Sequence, residues 1–226
     1  MKKIIFGIFA HPDDEAFGPA GTLLMETRSG TELHLICLTA GQNGMNPDNL
    51  DDLGTVRLGE WQKAADLIGA KKTHQLGYVD GHLDNIAMIE AATQIDEIVS
   101  TTLTDEMTDI EFMSLDPNGL TGHIDHIVAS RAASLVFHTR KKEDARFRRI
   151  RYACLSAEQS PTIRTDWIYM DAGHEMTDIH ETIDARHLQN EILEIMHCHD
   201  SQRADCETSI KAQGENLGLN YFIVAS

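Results

Sequence analysis

Short apolar runs alternate with longer amphipathic stretches through the first 140 positions of the chain. The run at 4–10 (IIFGIFA) reads as a buried strand, as do 33–39, 73–78 and 109–115. Between them, residues 15–29, 53–69, 86–102 and 124–139 carry apolar side chains at helical spacing, with Gly30 and Gly69 as stops. Strand–helix alternation of this kind predicts right-handed βαβ units. It gives a Rossmann-like three-layer α/β/α fold with a mostly parallel sheet. Gly18 and Gly21 do not form a GxGxxG fingerprint, so a dinucleotide site is not expected.

The texture changes after residue 140. The run RKKEDARFRRIR over 140–151 reads as a solvated helix end and linker. Strands are expected at 149–156, 167–171 and 220–225, and an amphipathic helix over 179–198. The chain therefore divides into a core, 1–140, and a smaller C-terminal part, 141–226, that completes the fold as a small cap or an added sheet. An exposed strand at 220–225 would offer pairing between copies, which leaves a homo-oligomer open.

Candidate chemistry concentrates behind the first strand. His11-Pro12-Asp13-Asp14-Glu15 places one imidazole and three carboxylates in the loop where open α/β sheets bind ligands. Pro12 fixes its own φ and biases His11 towards extended backbone. An Asp pair ahead of a helix is also an ordinary N-cap. A second cluster, His123-Ile124-Asp125-His126, shifts the balance. Together the two supply the His/Asp/His set of a catalytic zinc site, with one position left for water.

His123 and His126 lie three apart at a helix entry, so both can face one side, with Asp125 pointing elsewhere. With His11, Asp14 and His126 on a metal, Asp13 is the candidate base. His123 is the candidate donor to an oxyanion or to a leaving amine, and Asp125 the group that orients it. This is hydrolysis of an acyl bond, most naturally an amide. Arg57 and Glu60 share a helix face and read, on pattern alone, as a surface ion pair. His197, Cys198 and His199 look like a ligand cluster but sit at a helix end, where such residues serve as cap or dipole partners.

Composition adds limits. The formal net charge is −17, which excludes nucleic acid and anionic membrane as expected partners. Hydrophobic residues make up 42% and no apolar stretch reaches membrane-spanning length, so no membrane insertion is expected. The N-terminal run is too short for a signal peptide, and cytoplasmic is the default location. Cys37, Cys154, Cys198 and Cys206 form no CxxC pair and fit a reducing compartment, with Cys37 and Cys154 expected in the core.

In order, HPDDE, TAGQNG, RLGEWQKAADLIGA, LGYVDG and NGLTGHIDH resemble the LmbE/PIG-L family of zinc-dependent N-deacetylases over roughly residues 3–135. The resemblance implies removal of acetyl from an N-acetylglucosaminyl-type compound, a small amino-sugar substrate, and one zinc per chain on His11, Asp14 and His126. It implies Asp13 as general base and His123 as the oxyanion and acid group, with Asp125 behind it. Arg57 would bind sugar hydroxyls or a phosphate. His199, in the H-x-S-Q match His199-Asp200-Ser201-Gln202, would enter the site from the C-terminal part. Related readings are a zinc amidase for a larger amide, such as a thiol conjugate, and a metal- or sugar-binding module without turnover. Zinc, iron, cobalt and manganese all suit the ligand types.

Overall fold

The computed structural model describes residues 2–103, 107–160 and 172–226. Among these, seven strands form one sheet in the order β3-β2-β1-β4-β5-β7-β6. Strands β1 (Lys2–Phe9), β2 (Glu32–Thr39), β3 (Lys72–Tyr78), β4 (Thr108–Leu115) and β5 (Phe147–Cys154) run parallel. β7 (Leu219–Ala225) and β6 (Glu181–Asp184) complete the sheet antiparallel.

Each central strand is buried on both faces, which is why it reads as a continuous apolar run rather than an alternating one. In β1, Ile5 and Phe9 join the core beneath α2 (Ala20–Arg28) and α3 (Leu53–Ile68). Ile4, Phe6 and Ile8 join the core beneath α4 (Asn85–Thr102) and α5 (Ile124–Lys141). Each such side chain contributes about 1.5–3 kcal/mol on burial. The chain leaves β1 towards β2 and β3 on one side, and β4 and β5 lie on the other. The topological switch point therefore falls between the C-terminal ends of β1 and β4, where a crevice opens.

The predicted helix over 15–29 is two helices, α1 (Asp14–Phe17) and α2, broken at Gly18-Pro19. Proline lacks the N–H that would continue the ladder and disfavours helical backbone at the residue before it. The predicted helix over 179–198 is likewise split. Residues Glu181–Asp184 pair with β7, and only Gln189–Met196 (α6) is α-helical. A partner edge on β7 overrides the helical spacing there. α7 (Arg203–Gln213) follows.

Two further expectations change. The strand at the C-terminus lies between β5 and β6, so it offers no free edge; among the described residues the outer strands are β3 and β6. The charge run is not wholly solvated, because its second half is β5. Arg151 is 1% exposed and pairs with Glu26 at 2.8 Å and Glu111 at 3.2 Å, while Arg149 reaches Glu111 and Glu181, each at 3.1 Å. The buried Arg151 guanidinium is tolerated here because carboxylates from α2, β4 and β6 surround it. The strand expected at 167–171 lies outside the described residues.

Candidate metal centre

The loop after β1 and the entry of α5 meet at the switch point. His11 Nδ1 lies 3.0 Å from His126 Nε2, and His126 Nε2 lies 3.2 Å from Asp14 Oδ1. Asp14 is held from behind, its Oδ2 accepting from the amides of Ala10 and His11, both at 3.0 Å. The far nitrogen of each imidazole faces an acceptor. His126 Nδ1 donates to the Gly119 carbonyl at 3.0 Å, and His11 Nε2 lies 3.0 Å from Asp80 and 3.3 Å from Asp125. These contacts engage the far nitrogens, so His11 Nδ1 and His126 Nε2 are the nitrogens that face each other, across a hydrogen bond, beside a buried carboxylate. Two imidazole nitrogens and a carboxylate oxygen, with each ring backed by a carbonyl or a carboxylate, are ligands that a divalent cation can take once it displaces the proton between the rings.

Charges agree. Burial would lower the His11 pKa, but Asp125, Asp80 and Asp14 outweigh it and hold it up at about 10. A cation would take that proton's place. Burial would raise Asp14, but His126 and His11 hold its carboxyl well below the usual carboxylate range. His11 also approaches Asp80 and Asp125 closely enough for the three to form a ligand group on its other side. There both carboxylates face Nε2, opposite the nitrogen that meets His126, and Asp125 and Asp80 are themselves held by Gly81 N at 2.7 Å and Asn43 N at 3.2 Å, which suits them to orient the ring.

Asp13 sits beside the centre in strained backbone, at φ 136°, a conformation that a non-glycine residue adopts only when its surroundings impose it. The imposing group is Arg57. Its Nη2 donates to Asp13 Oδ2 at 2.8 Å and to the Pro12 carbonyl at 3.1 Å, and its Nη1 donates to the Gly41 carbonyl at 2.8 Å. Gly41 and Gly44 make room for it, since a Cβ on either would stand within 2.4 Å of the guanidinium. The glycines of TAGQNG are thus a cradle for Arg57. Burial pushes the Asp13 carboxyl up to about 6, against the opposing pull of Arg57.

His123 caps α5, its Nδ1 accepting from the Asp125 amide at 3.2 Å. Its ring stacks on His126 and meets His11 edge-on, with centroids 4.8 Å away in both cases. Burial, with His126 and His11 nearby, lowers its pKa to about 4.

The sequence-predicted residues are therefore gathered, with three differences in placement. The Asp125 carboxylate backs His11 and accepts from the Gly81 amide, so it does not sit behind His123. Arg57 is buried and does not pair with Glu60, whose carboxylate accepts from Ser201 N at 2.9 Å and Ser201 Oγ at 2.6 Å. His199 is enclosed beneath Asp13, 3.6 Å from the buried Glu15 and edge-on to Phe17. Its neighbours His197 and Cys198 point elsewhere, to Glu207 and to the Glu194 carbonyl. Asp80 was not singled out by sequence reasoning; its signal was the Asp-Gly turn directly after β3.

Residues 6–137 match the profile of the PIG-L family, described as GlcNAc-PI de-N-acetylase. The chain belongs to the PIG-L family. A PIG-L relative, the 1D-myo-inositol 2-acetamido-2-deoxy-alpha-D-glucopyranoside deacetylase of Mycolicibacterium vanbaalenii, is 29% identical over 151 residues, covering 58% of this chain and 53% of the relative. The chain thus spans about half the length of that curated relative. Among solved structures, the N,N'-diacetylchitobiose deacetylase of Pyrococcus horikoshii superposes with a TM-score of 0.68 at 21% identity, over 98% of this chain and 82% of that one. The 4-carboxy-2-hydroxymuconate hydratase of Pseudomonas putida superposes with a TM-score of 0.65 at 15% identity, over 100% and 97%. Both share the three-layer fold with this PIG-L chain. Among its described residues no helix is long and apolar enough to cross a membrane.

Proposed function

We propose that this chain is a zinc-dependent hydrolase that removes the acetyl group from an N-acetylated amino sugar of the N-acetylglucosaminyl type. The observation that carries the reading is the convergence of His11 Nδ1, His126 Nε2 and Asp14 Oδ1, with the buried carboxyl of Asp13 beside it. His11, Asp14 and His126 would hold the ion. Once bound, it supplies Lewis-acid polarisation of the amide carbonyl and acidifies the attacking water.

The chain's own residues do the rest. Asp13, poised at about 6, accepts a proton near neutral pH far better than an ordinary carboxylate would. His123 acts as a neutral donor. Its Nδ1 is occupied by the Asp125 amide, so Nε2 carries the hydrogen that stabilises a developing oxyanion. Asp125 and Asp80 keep His11 in its ligating tautomer. Arg57 and His199 act on Asp13 from behind rather than on the sugar. The part after residue 140 shapes the pocket, because Gln202 Nε2 donates to the Met45 carbonyl at 2.9 Å and Arg203 grips Asp48 at 2.6 Å. These contacts pin the loop after β2.

The test is acetate release from N-acetylglucosamine and N,N'-diacetylchitobiose by metal-analysed protein. Acetate release by protein that holds zinc at His11, Asp14 and His126 is expected, and Asp13→Asn lowers kcat by about 10²–10⁴ at unchanged metal content. A zinc-loaded protein whose Asp13→Asn variant turns over at the wild-type rate refutes the base assignment. One that releases no acetate from either sugar moves the substrate to a larger amide.

A further inference from the structure

A second ligand cluster stands apart from the first. Asp116 directly follows β4, Cys154 ends β5, and His174 lies on the segment that returns beside β5. One donor atom from each lies within 4.8 Å of the others. Asp116 and Cys154 are buried, and the His174 side chain is 29% exposed. None of the three is used by the chemistry above.

Backbone contacts hold each ligand in place. Asp116 N donates to the Ala153 carbonyl at 2.9 Å, and Asp116 Oδ1 accepts from Asn118 N at 2.9 Å. His174 N donates to the Leu155 carbonyl at 2.9 Å and its carbonyl accepts from Ala157 N at 2.8 Å, which fixes the imidazole beside the end of β5. His174 Nε2 meets Asp116 Oδ2 at 2.5 Å. Cys154 is fixed by the pairing of β5 with β7, opposite Tyr221. A carboxylate, an imidazole and a thiol converging from three separate segments are the donors of a tetrahedral site with one position open.

We propose that Asp116, Cys154 and His174 form a second divalent-cation site, distinct from His11/Asp14/His126 and selective for a borderline-soft ion such as zinc or cobalt(II). The thiolate and imidazole disfavour magnesium and calcium, which take oxygen ligands. Binding releases the thiol proton and turns a lone pair of His174 Nε2 to the ion, with the ring hydrogen on Nδ1. Without an ion the thiol stays protonated, because burial and the adjacent Asp116 push it up to about 12. A free-thiolate nucleophile is therefore the poorer reading of the same three residues.

The site is also wired to the first one. Asp116 opens the turn in which its carbonyl accepts from Gly119 N at 2.7 Å, and the Gly119 carbonyl in turn holds His126 Nδ1. Occupancy would fix that turn and tie the 172–174 segment to the loop that orients His126.

Cobalt(II) separates the two sites, because the first contains no sulfur. Full-length protein is stripped with chelator under reducing conditions and titrated with cobalt(II). The expected result is a near-ultraviolet thiolate-to-cobalt charge-transfer band and about two ions per chain. Cys154→Ser should lose the band and retain about one ion. His174→Ala, at a partly exposed position that tolerates truncation, should weaken the band at equal cobalt. Cys198→Ser should leave it intact. A wild-type protein with no band, or a band that survives both Cys154→Ser and His174→Ala, overturns the proposal. A single bound ion that shows the band sustains this site and counts against the first, so the two readings fail separately.

Discussion

Arg57→Met tests whether Asp13 is held by a buried charge pair. The substitution keeps an apolar stem of similar length and removes every donor. Arg57 is 4% exposed, so solvent cannot replace what is lost. The charged bond to Asp13 at 2.8 Å corresponds to about 1.5–3 kcal/mol, and the Gly41 and Pro12 carbonyls, left without their donor, to about 1 kcal/mol each. Together they give about 4 kcal/mol at neutral pH, within the roughly 3–5 kcal/mol expected for breaking a buried pair. For a chain of this size that lowers Tm by about 8–16 °C.

The pH dependence carries the sharper test. Asp13 already has a folded pKa above its unfolded value, so its ionisation costs stability as the pH rises from about 4 to about 6, and the cost is then constant. Without Arg57 the carboxyl moves higher still, and the folded variant binds more protons than the folded wild type above that pH. The stability difference should therefore be flat below about pH 5 and grow between about pH 6 and 8. The assay is urea unfolding of chelator-treated wild type and variant across that range. A cost below about 1 kcal/mol at pH 7, or a difference independent of pH, refutes the reasoning.

Other outcomes follow from single contacts. Asp80→Asn weakens the carboxylate that fixes the His11 tautomer and should lower metal affinity about 10–100-fold in a competitive chelator titration. Ser201→Ala strips one of the two donors from the buried Glu60 carboxylate. It should cost about 1.5–3 kcal/mol, most of it recovered in a double-mutant cycle with Glu60→Gln. Gly21→Val places a Cβ 2.8 Å from that of Ala185 and 3.1 Å from Ile192, forcing α2 off the C-terminal part. About 1–3 kcal/mol of destabilisation is expected by thermal unfolding.

The sequence by itself determined the parallel core. Strands buried on both faces must be continuous apolar runs, so β1, β2 and β4 could be read from local pattern, as could α3 with its stop at Gly69. It also named His11, Asp14 and His126, which the fold brings together, because HPDDE and HIDH are each contiguous and each lies in the loop that follows a strand. Its misses share a cause: a neighbour distant in sequence. Residues 181–184 become a strand because β7 offers an edge, and Arg151 is buried because Glu26 and Glu111 neutralise it. Arg57 leaves its i+3 partner because Asp13 lies closer across the loop, while Glu60 turns to Ser201, 141 residues away. The Asp116/Cys154/His174 cluster had no local signature either, since its ligand-capable atoms meet only when strand ends are brought side by side. Periodicity and contiguous motifs report what a segment needs. Only the folded chain decides which charge, edge or lone pair supplies it.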